Sequence, residues 1–256
     1  MKQHKLLYLS LLSILLASCG GTNKNIAPFT LKLDGIKNGI QNGSKIHYSL
    51  QNNTQQEISA AVFSVDGKTL EATKDSLSLE VAALGNRTLE VAIQYEEGSY
   101  KISEKIRVFS KAPPSLYTYK IVNTFPHDPK AYTQGLEFYQ DTLYESTGLR
   151  GYSSLRKVNY KTGEVLQKID LPTAIFGEGI TIMKDQIYLL SWQSGKGFVY
   201  DIHSFKETSQ FTYGQSKEGW GLCNDGKSLF KSDGSQKIWR LDPDNLQELD
   251  HIELAT

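Results

Sequence analysis

Cysteine is almost missing from this 256-residue sequence: Cys19 and Cys223 are the two it has. They lie far apart, with no Cys or His neighbour at metal-ligand spacing, which excludes zinc ribbons, redox Cys-x-x-Cys pairs and a disulfide framework. Proline is scarce at 7, and neither sign of charge dominates, with 28 Lys+Arg against 28 Asp+Glu. A disordered chain and a basic nucleic-acid binder are both poor fits to that balance, so no nucleic-acid partner is expected. The longest apolar run, Leu6 to Leu16, is too short to span a bilayer. What remains, with 39% hydrophobic residues, is a globular chain of one or two domains, each with a proper core.

The first 18 residues read as an export signal. Lys2 and Lys5 form a charged start, Leu6 to Leu16 the apolar stretch, and Ala17-Ser18 the small residues of a cleavage site. Leu16-Ala17-Ser18-Cys19 resembles the lipobox of bacterial lipoproteins, in which the cysteine is lipidated and becomes the new N-terminus. That resemblance implies membrane attachment through acyl chains (palmitate) on Cys19 and a location in the bacterial cell envelope, at the outer membrane or facing the periplasm. The alternative is an ordinary signal peptide that happens to contain a cysteine.

Residues 19–28 follow as a polar tether. From Phe29 the pattern has period two: Phe29, Leu31, Leu33; Ile46, Tyr48, Leu50; Ala61, Phe63, Val65; Leu89, Val91, Ile93, Tyr95. Asp66-Gly67 has the chemistry of a tight hairpin turn. About seven short strands over 29–111 predict a small β-sandwich of immunoglobulin-like size without its disulfide, acting as a spacer or adhesion module. Ala112-Pro113-Pro114-Ser115-Leu116 then reads as a stiff linker, since consecutive prolines stay out of sheet interiors.

From residue 117 the sequence repeats. Gly135-Leu136, Gly179-Ile180 and Gly221-Leu222 recur at gaps of 44 and 42 residues, in step with Leu143-Tyr144, Ile187-Tyr188 and Leu229-Phe230. Several short strands per repeat of about 42 residues, with no helical periodicity, predict β-propeller blades. The symmetry turns spacing into geometry. Gln134, Glu178 and Trp220 precede the three repeat glycines and should share one mouth of the channel. Fourteen residues further on stand Gly148, Trp192 and Gly234, so one blade sets an indole beside the carboxylate. An aromatic wall desolvates an acid and raises its pKa, as suits a group that takes and returns protons near neutrality. From the residues alone, Glu178 is either that acid or a hydrogen-bonded turn carboxylate with the tryptophans as interblade packing. Trp239, inside a repeated strand, reads as core.

The motifs Phe125-Pro126-His127-Asp128, Tyr132-Thr133-Gln134-Gly135-Leu136, Tyr144-Glu145-Ser146-Thr147-Gly148-Leu149, Ser153-Ser154-Leu155-Arg156 and Phe176-Gly177-Glu178-Gly179-Ile180-Thr181 together resemble the plant and bacterial type of glutaminyl-peptide cyclotransferase. The resemblance runs from about Tyr117 onward and implies a five-bladed propeller. It also implies an acyltransferase that cyclises the N-terminal glutamine of a peptide to pyroglutamate, releasing ammonia, without a metal or other cofactor. Carried over motif by motif, it implies that Glu178 is the acid/base and that Gln134, Tyr132, Phe176, Trp192 and Trp220 line the pocket. Tyr132 stands where the family often has Phe, and Arg150 where an aromatic is common. His127 is expected to fix a loop.

Three repeats are visible where the resemblance implies five, and the family's Asn-Glu-Leu-Glu stretch and later lysine are not found. The sequence therefore predicts an all-β chain: a sandwich followed by a partial propeller over 117–256. In that partial propeller Tyr117 to Thr124 is a strand without a partner and the pocket is catalytically impaired. A complete ring is expected to be a monomer. The competing function is a lipid-anchored propeller that binds peptide or glycan without turning it over.

Overall fold

The computed structural model describes residues 27–255, and every described element is a strand. The Cys19 reading lies outside the described residues.

The first part of the chain packs a three-stranded sheet, order β1 (Phe29–Leu33), β3 (Lys45–Asn52), β6 (Ser76–Ser78), on a five-stranded one, order β2 (Ile40–Gln41), β8 (Gly98–Phe109), β7 (Gly85–Tyr95), β4 (Ile58–Val65), β5 (Lys68–Thr69). Period-two alternation supplies the core: Phe29, Phe63, Leu89, Val91, Ile93 and Val108 are all buried. Asp66 (φ 49°) and Gly67 (φ 81°) close the β4–β5 hairpin as a two-residue turn with both φ positive. One expectation is corrected, because not all of these strands are short. β7 and β8 run 11 and 12 residues and pair without a break from Gly85↔Val108 to Tyr95↔Gly98. Nothing interrupts the alternation on this hairpin, so it extends past the length typical of such modules.

Three four-stranded antiparallel sheets follow, each a simple meander. The first is β9 (Thr133–Tyr139), β10 (Thr142–Thr147), β11 (Ser154–Asn159), β12 (Glu164–Asp170); the second is β13 (Gly177–Met183), β14 (Gln186–Ser191), β15 (Lys196–Asp201), β16 (Glu207–Thr212). The third is β17 (Leu222–Asn224), β18 (Leu229–Ser232), β19 (Lys237–Leu241), β20 (Glu248–Glu253). These are the three blades the repeat predicts. The second is covered on both faces. Ile187 and Leu189 of β14 join one core with Tyr144 and Leu155 of the first blade, while Tyr188 and Leu190 join another with Leu229 and Trp239 of the third. Trp239 is therefore core, and its indole also donates to Asp233 at 2.6 Å.

The repeat glycines owe their place to the contact between inner strands. A Cβ at Gly135 would sit 2.6 Å from the Ile180 nitrogen, and one at Gly179 would sit 2.5 Å from the Trp220 oxygen. Only hydrogen fits where two backbones approach so closely. Side chains stitch the same strands together. Glu137 accepts from Thr181 Oγ1 at 2.7 Å and from the Ile182 amide at 3.0 Å, and Asn224 donates to the Ile182 carbonyl at 3.1 Å.

Tyr117 to Thr124, expected as a strand, lies outside every described sheet, with Tyr117, Tyr119, Ile121 and Val122 exposed. His127 does fix a loop. It bonds the buried Glu145 at 2.9 Å, and that carboxylate also accepts from Thr133 Oγ1 at 2.5 Å, while Arg156 reaches Asp128 at 2.9 Å. The segment leading into β9 is thereby tied to the first blade.

Candidate active site

Glu178 lies on β13, the inner strand of the middle blade, and its main chain is held from both sides. The Ser146 hydroxyl of the first blade donates to its carbonyl, and the next amide, Gly179, donates to the Trp220 carbonyl of the third at 2.7 Å. The residue is only 7% exposed, yet among the described residues no protein group donates a hydrogen bond to its carboxylate. That excludes the turn-carboxylate reading. A buried acid without donors favours its neutral form, and burial, followed by the negative charge of Glu218, raises its pKa from 4.5 to about 7.

Three of the four aromatic residues expected around it are in contact in a row. Phe176 stands edge-on to Trp192, ring centroids 5.5 Å apart, and Tyr132 stands edge-on to Phe176 at 6.2 Å. Gly148 makes room for this row, since a Cβ there would be 2.4 Å from the Phe176 ring and 3.1 Å from Gln134 Cγ. Gln134, on β9, is half-buried, and its amide makes no hydrogen bond to the described residues, so its donors are free. Trp220 closes the other side, packed over Gly234. Arg150, at the rim, donates to Gln193 at 3.4 Å. Tyr132, Phe176, Trp192 and Gln134 are thus drawn together around Gly148, while the Trp220 carbonyl accepts from the amide that follows Glu178.

Two participants were not singled out from the sequence. Glu218 accepts from the indoles of both Trp192 and Trp220, each at 2.9 Å, and so joins walls contributed by two blades. It stands three residues before the repeat glycine Gly221, as Tyr132 and Phe176 do before theirs; comparing that position across the repeats would have exposed it. Lys231, on β18, is fully buried behind the site. Its ammonium lies 3.3 Å from Glu248 and 3.9 Å from the centre of the Tyr213 ring, and it donates to Ser216 Oγ and to the Glu218 carbonyl. No sequence signal marked this lysine. Among the described residues no group of three or more His, Cys, Asp or Glu side chains is arranged to hold a metal.

Chemically, the mouth offers one unpaired acid poised near neutrality, one free amide donor and a row of aromatic faces. A family model described as glutamine cyclotransferase matches residues 91–256. The chain belongs to that family. Its match begins inside β7, upstream of the repeats. Over 137 residues the chain is 44% identical to the glutaminyl-peptide cyclotransferase of Arabidopsis thaliana, covering 52% of this chain and 42% of that protein. The chain thus spans less than half the length of this curated relative. Among solved structures it is similar to the Myxococcus xanthus glutaminyl cyclase, with 29% identity, a TM-score of 0.49, and coverage of 53% of this chain and 56% of that one.

Proposed function

We propose that this cyclotransferase-family protein converts the N-terminal glutamine of peptides to pyroglutamate. The observation that carries the reading is the buried Glu178 carboxylate, free of protein donors and titrating at about 7, at the head of an aromatic row. A peptide α-amine has a pKa near ~8, so a base of this strength exchanges a proton with it at little cost. The amine nitrogen attacks the Cδ of the same residue's carboxamide, a C–N bond forms, and the ring closes. Glu178 takes the proton from the amine and returns it to the departing nitrogen, which leaves as ammonia when the original C–N bond breaks. Nothing else is consumed. Tyr132, Phe176, Trp192 and Trp220 hold the side chain folded back on its own amine, and such orientation supplies much of the rate in an intramolecular reaction. The free Gln134 amide is the donor available to the developing oxyanion.

Mass spectrometry of a glutaminyl peptide incubated with the protein tests the proposal. Loss of one ammonia is the expected result, and it would set aside the expectation, drawn from three visible repeats, that the pocket is impaired. Binding without a change of mass would overturn it in favour of a non-catalytic peptide- or glycan-binding propeller.

We further propose that the protein works as a monomer, anchored in the cell envelope through acyl chains on Cys19. The support is the position of Cys19 directly after the small residues Ala17-Ser18. Cys19→Ser should release the protein from membranes, and continued pelleting of that variant with them would overturn the anchor.

A further inference from the structure

Glu218 occupies the stretch between β16 and β17, where the second blade passes into the third. One of its oxygens accepts both indole N–H groups, from Trp192 and Trp220, and the other accepts from Gln193 Nε2 at 3.2 Å. Three donors favour the ionised form and hold its pKa below the ordinary carboxylate range, with the Trp220 bond the largest contribution. Its backbone is equally constrained. The next amide, Gly219, donates to the Trp192 carbonyl at 3.0 Å, and the buried Lys231 donates to the Glu218 carbonyl at 3.2 Å. A Cβ at Gly219 would lie 2.3 Å from the Tyr213 hydroxyl, so that hydroxyl packs directly on this backbone. That hydroxyl in turn bonds both the amide and the carbonyl of Ser191, the residue preceding Trp192, at 2.9 and 2.8 Å.

We propose that Glu218 is the positioning residue of this site: a fixed anionic acceptor that sets both indole walls, two residues before the Trp220 carbonyl that accepts from the amide following Glu178, and acts on the substrate through Trp192, Trp220 and Glu178. The proposal deepens the cyclotransferase reading and takes the role of Glu178 from it. The charge of Glu218 acts on Glu178, and Tyr213 lies within electrostatic reach of it but is kept neutral by burial. Behind Tyr213, Lys231 and Glu248 offset each other as an ion pair. From β9 and β10 come the neutral Gln134 and Ser146, and at the rim Arg150 lies on Gln193. Glu218 is therefore the negative charge that opposes ionisation of Glu178. The two carboxylates are pushed apart, one held ionised by donors and the other shifted toward neutrality by burial and by its neighbour, a division that separates an acid/base from a fixed charge.

The chain has three tryptophans, and the third, Trp239, donates to Asp233 instead. Their three indole N–H resonances in the 15N-labelled full chain therefore carry an internal control. In Glu218→Gln, which keeps an acceptor oxygen but loses the charge, the Trp192 and Trp220 resonances should move while that of Trp239 stays. A pH titration of the Trp192 and Trp220 signals should show a midpoint near the Glu178 value of about 7 in the unaltered protein. That midpoint should fall by on the order of one pH unit in Glu218→Gln and vanish in Glu178→Gln. Glu218→Ala, which frees both walls, should weaken binding of an N-terminal glutaminyl tripeptide roughly tenfold, by the loss of charge-assisted hydrogen bonds, with Glu218→Gln recovering most of it. Unmoved Trp192 and Trp220 resonances, or an unchanged midpoint, would overturn the proposal, and Trp239 reports in the same spectrum whether the variant is folded. If the unaltered protein releases no ammonia while the resonances and midpoint behave as expected, the cyclotransferase reading falls and the placement of Glu218 stands.

Discussion

The ring of Phe176 meets that of Trp192 edge-on, centroids 5.5 Å apart and planes at 65°. The two residues flank Glu178 in sequence, and the Trp192 amide donates to the Phe176 carbonyl at 3.1 Å. Trp192→Ala removes this packing, about 0.5–1.5 kcal/mol for such a pair beyond its buried area, and admits water. The Michaelis constant for a glutaminyl peptide should rise roughly three- to tenfold, in line with that energy. The acid limb of the pH–rate profile should move to lower pH, because a better-hydrated Glu178 ionises more readily. If neither changes, Trp192 is packing alone.

Glu178→Gln retains shape and removes the proton carrier. Ammonia release should fall by ~10² to 10⁴, the usual contribution of general acid–base catalysis, while the peptide still binds. Stability gives an independent check. Glu178 titrates at about 7 when folded against an ordinary 4.5, so between those values the folded protein holds a proton that the unfolded chain has lost. Its contribution is complete below pH 4.5 and is lost as pH rises to about 7. Melting temperatures of the two proteins should therefore diverge in favour of Glu178→Gln across that interval and run parallel above it. Parallel curves throughout would mean that the raised pKa is absent.

Gly179→Ala tests the contact between inner strands. Its methyl would lie 2.5 Å from the Trp220 oxygen and 2.7 Å from the Leu222 nitrogen, both backbone atoms that cannot swing aside. Overpacking of this kind costs about 1–3 kcal/mol, which thermal unfolding would report as a drop of several degrees. Gly195→Ala is the comparison at a positive-φ turn with open space around it; there strain alone acts, and blade contacts should survive.

Lys231→Met should lower stability by about 3–5 kcal/mol, because it strands the buried Glu248 carboxylate. Pairing it with Glu248→Gln should recover part of that loss, since Gln215 and Ser216 still donate to the remaining oxygen. Denaturant titration of the single and double variants measures the recovery. Additive losses would show that Lys231 and Glu248 do not act as a pair.

The repeat glycines, Glu178 and its aromatic neighbours were legible in the sequence because propeller symmetry makes equal spacing mean equal position. β14 carries no such signal, since alternation normally separates a wet face from a dry one, whereas Ile187 and Tyr188 are both buried, in different cores. Glu218 shares its repeat position with Tyr132 and Phe176, yet it is an acid where they are aromatic: its meaning comes from two indoles, one 26 residues before it and the other two residues after. Lys231 has the identity of a surface residue, and only the approach of Tyr213 and Glu248 from other strands makes it core. Contacts across blades cannot be read from a period within them. In the sandwich, the 11- and 12-residue lengths of β7 and β8 follow from uninterrupted pairing, for which turn residues alone gave no measure.

At the positions fourteen residues after Gln134, Glu178 and Trp220, the glycines of the outer two blades do more than permit a turn. The space at Gly148 is taken by Phe176 from the next blade, and that at Gly234 by Trp220 of its own, while the middle blade fills its space with Trp192 itself. The bulk around the mouth is thus a shared quantity, supplied by whichever strand the local residue leaves room for. Substitutions here should not add: Gly148→Ala, harmful beside Phe176, should be largely tolerated beside Phe176→Leu, a coupling that a double-mutant cycle would measure. The mouth can therefore change its chemistry only through compensated pairs of substitutions, and the residue types at these positions are constrained jointly across blades.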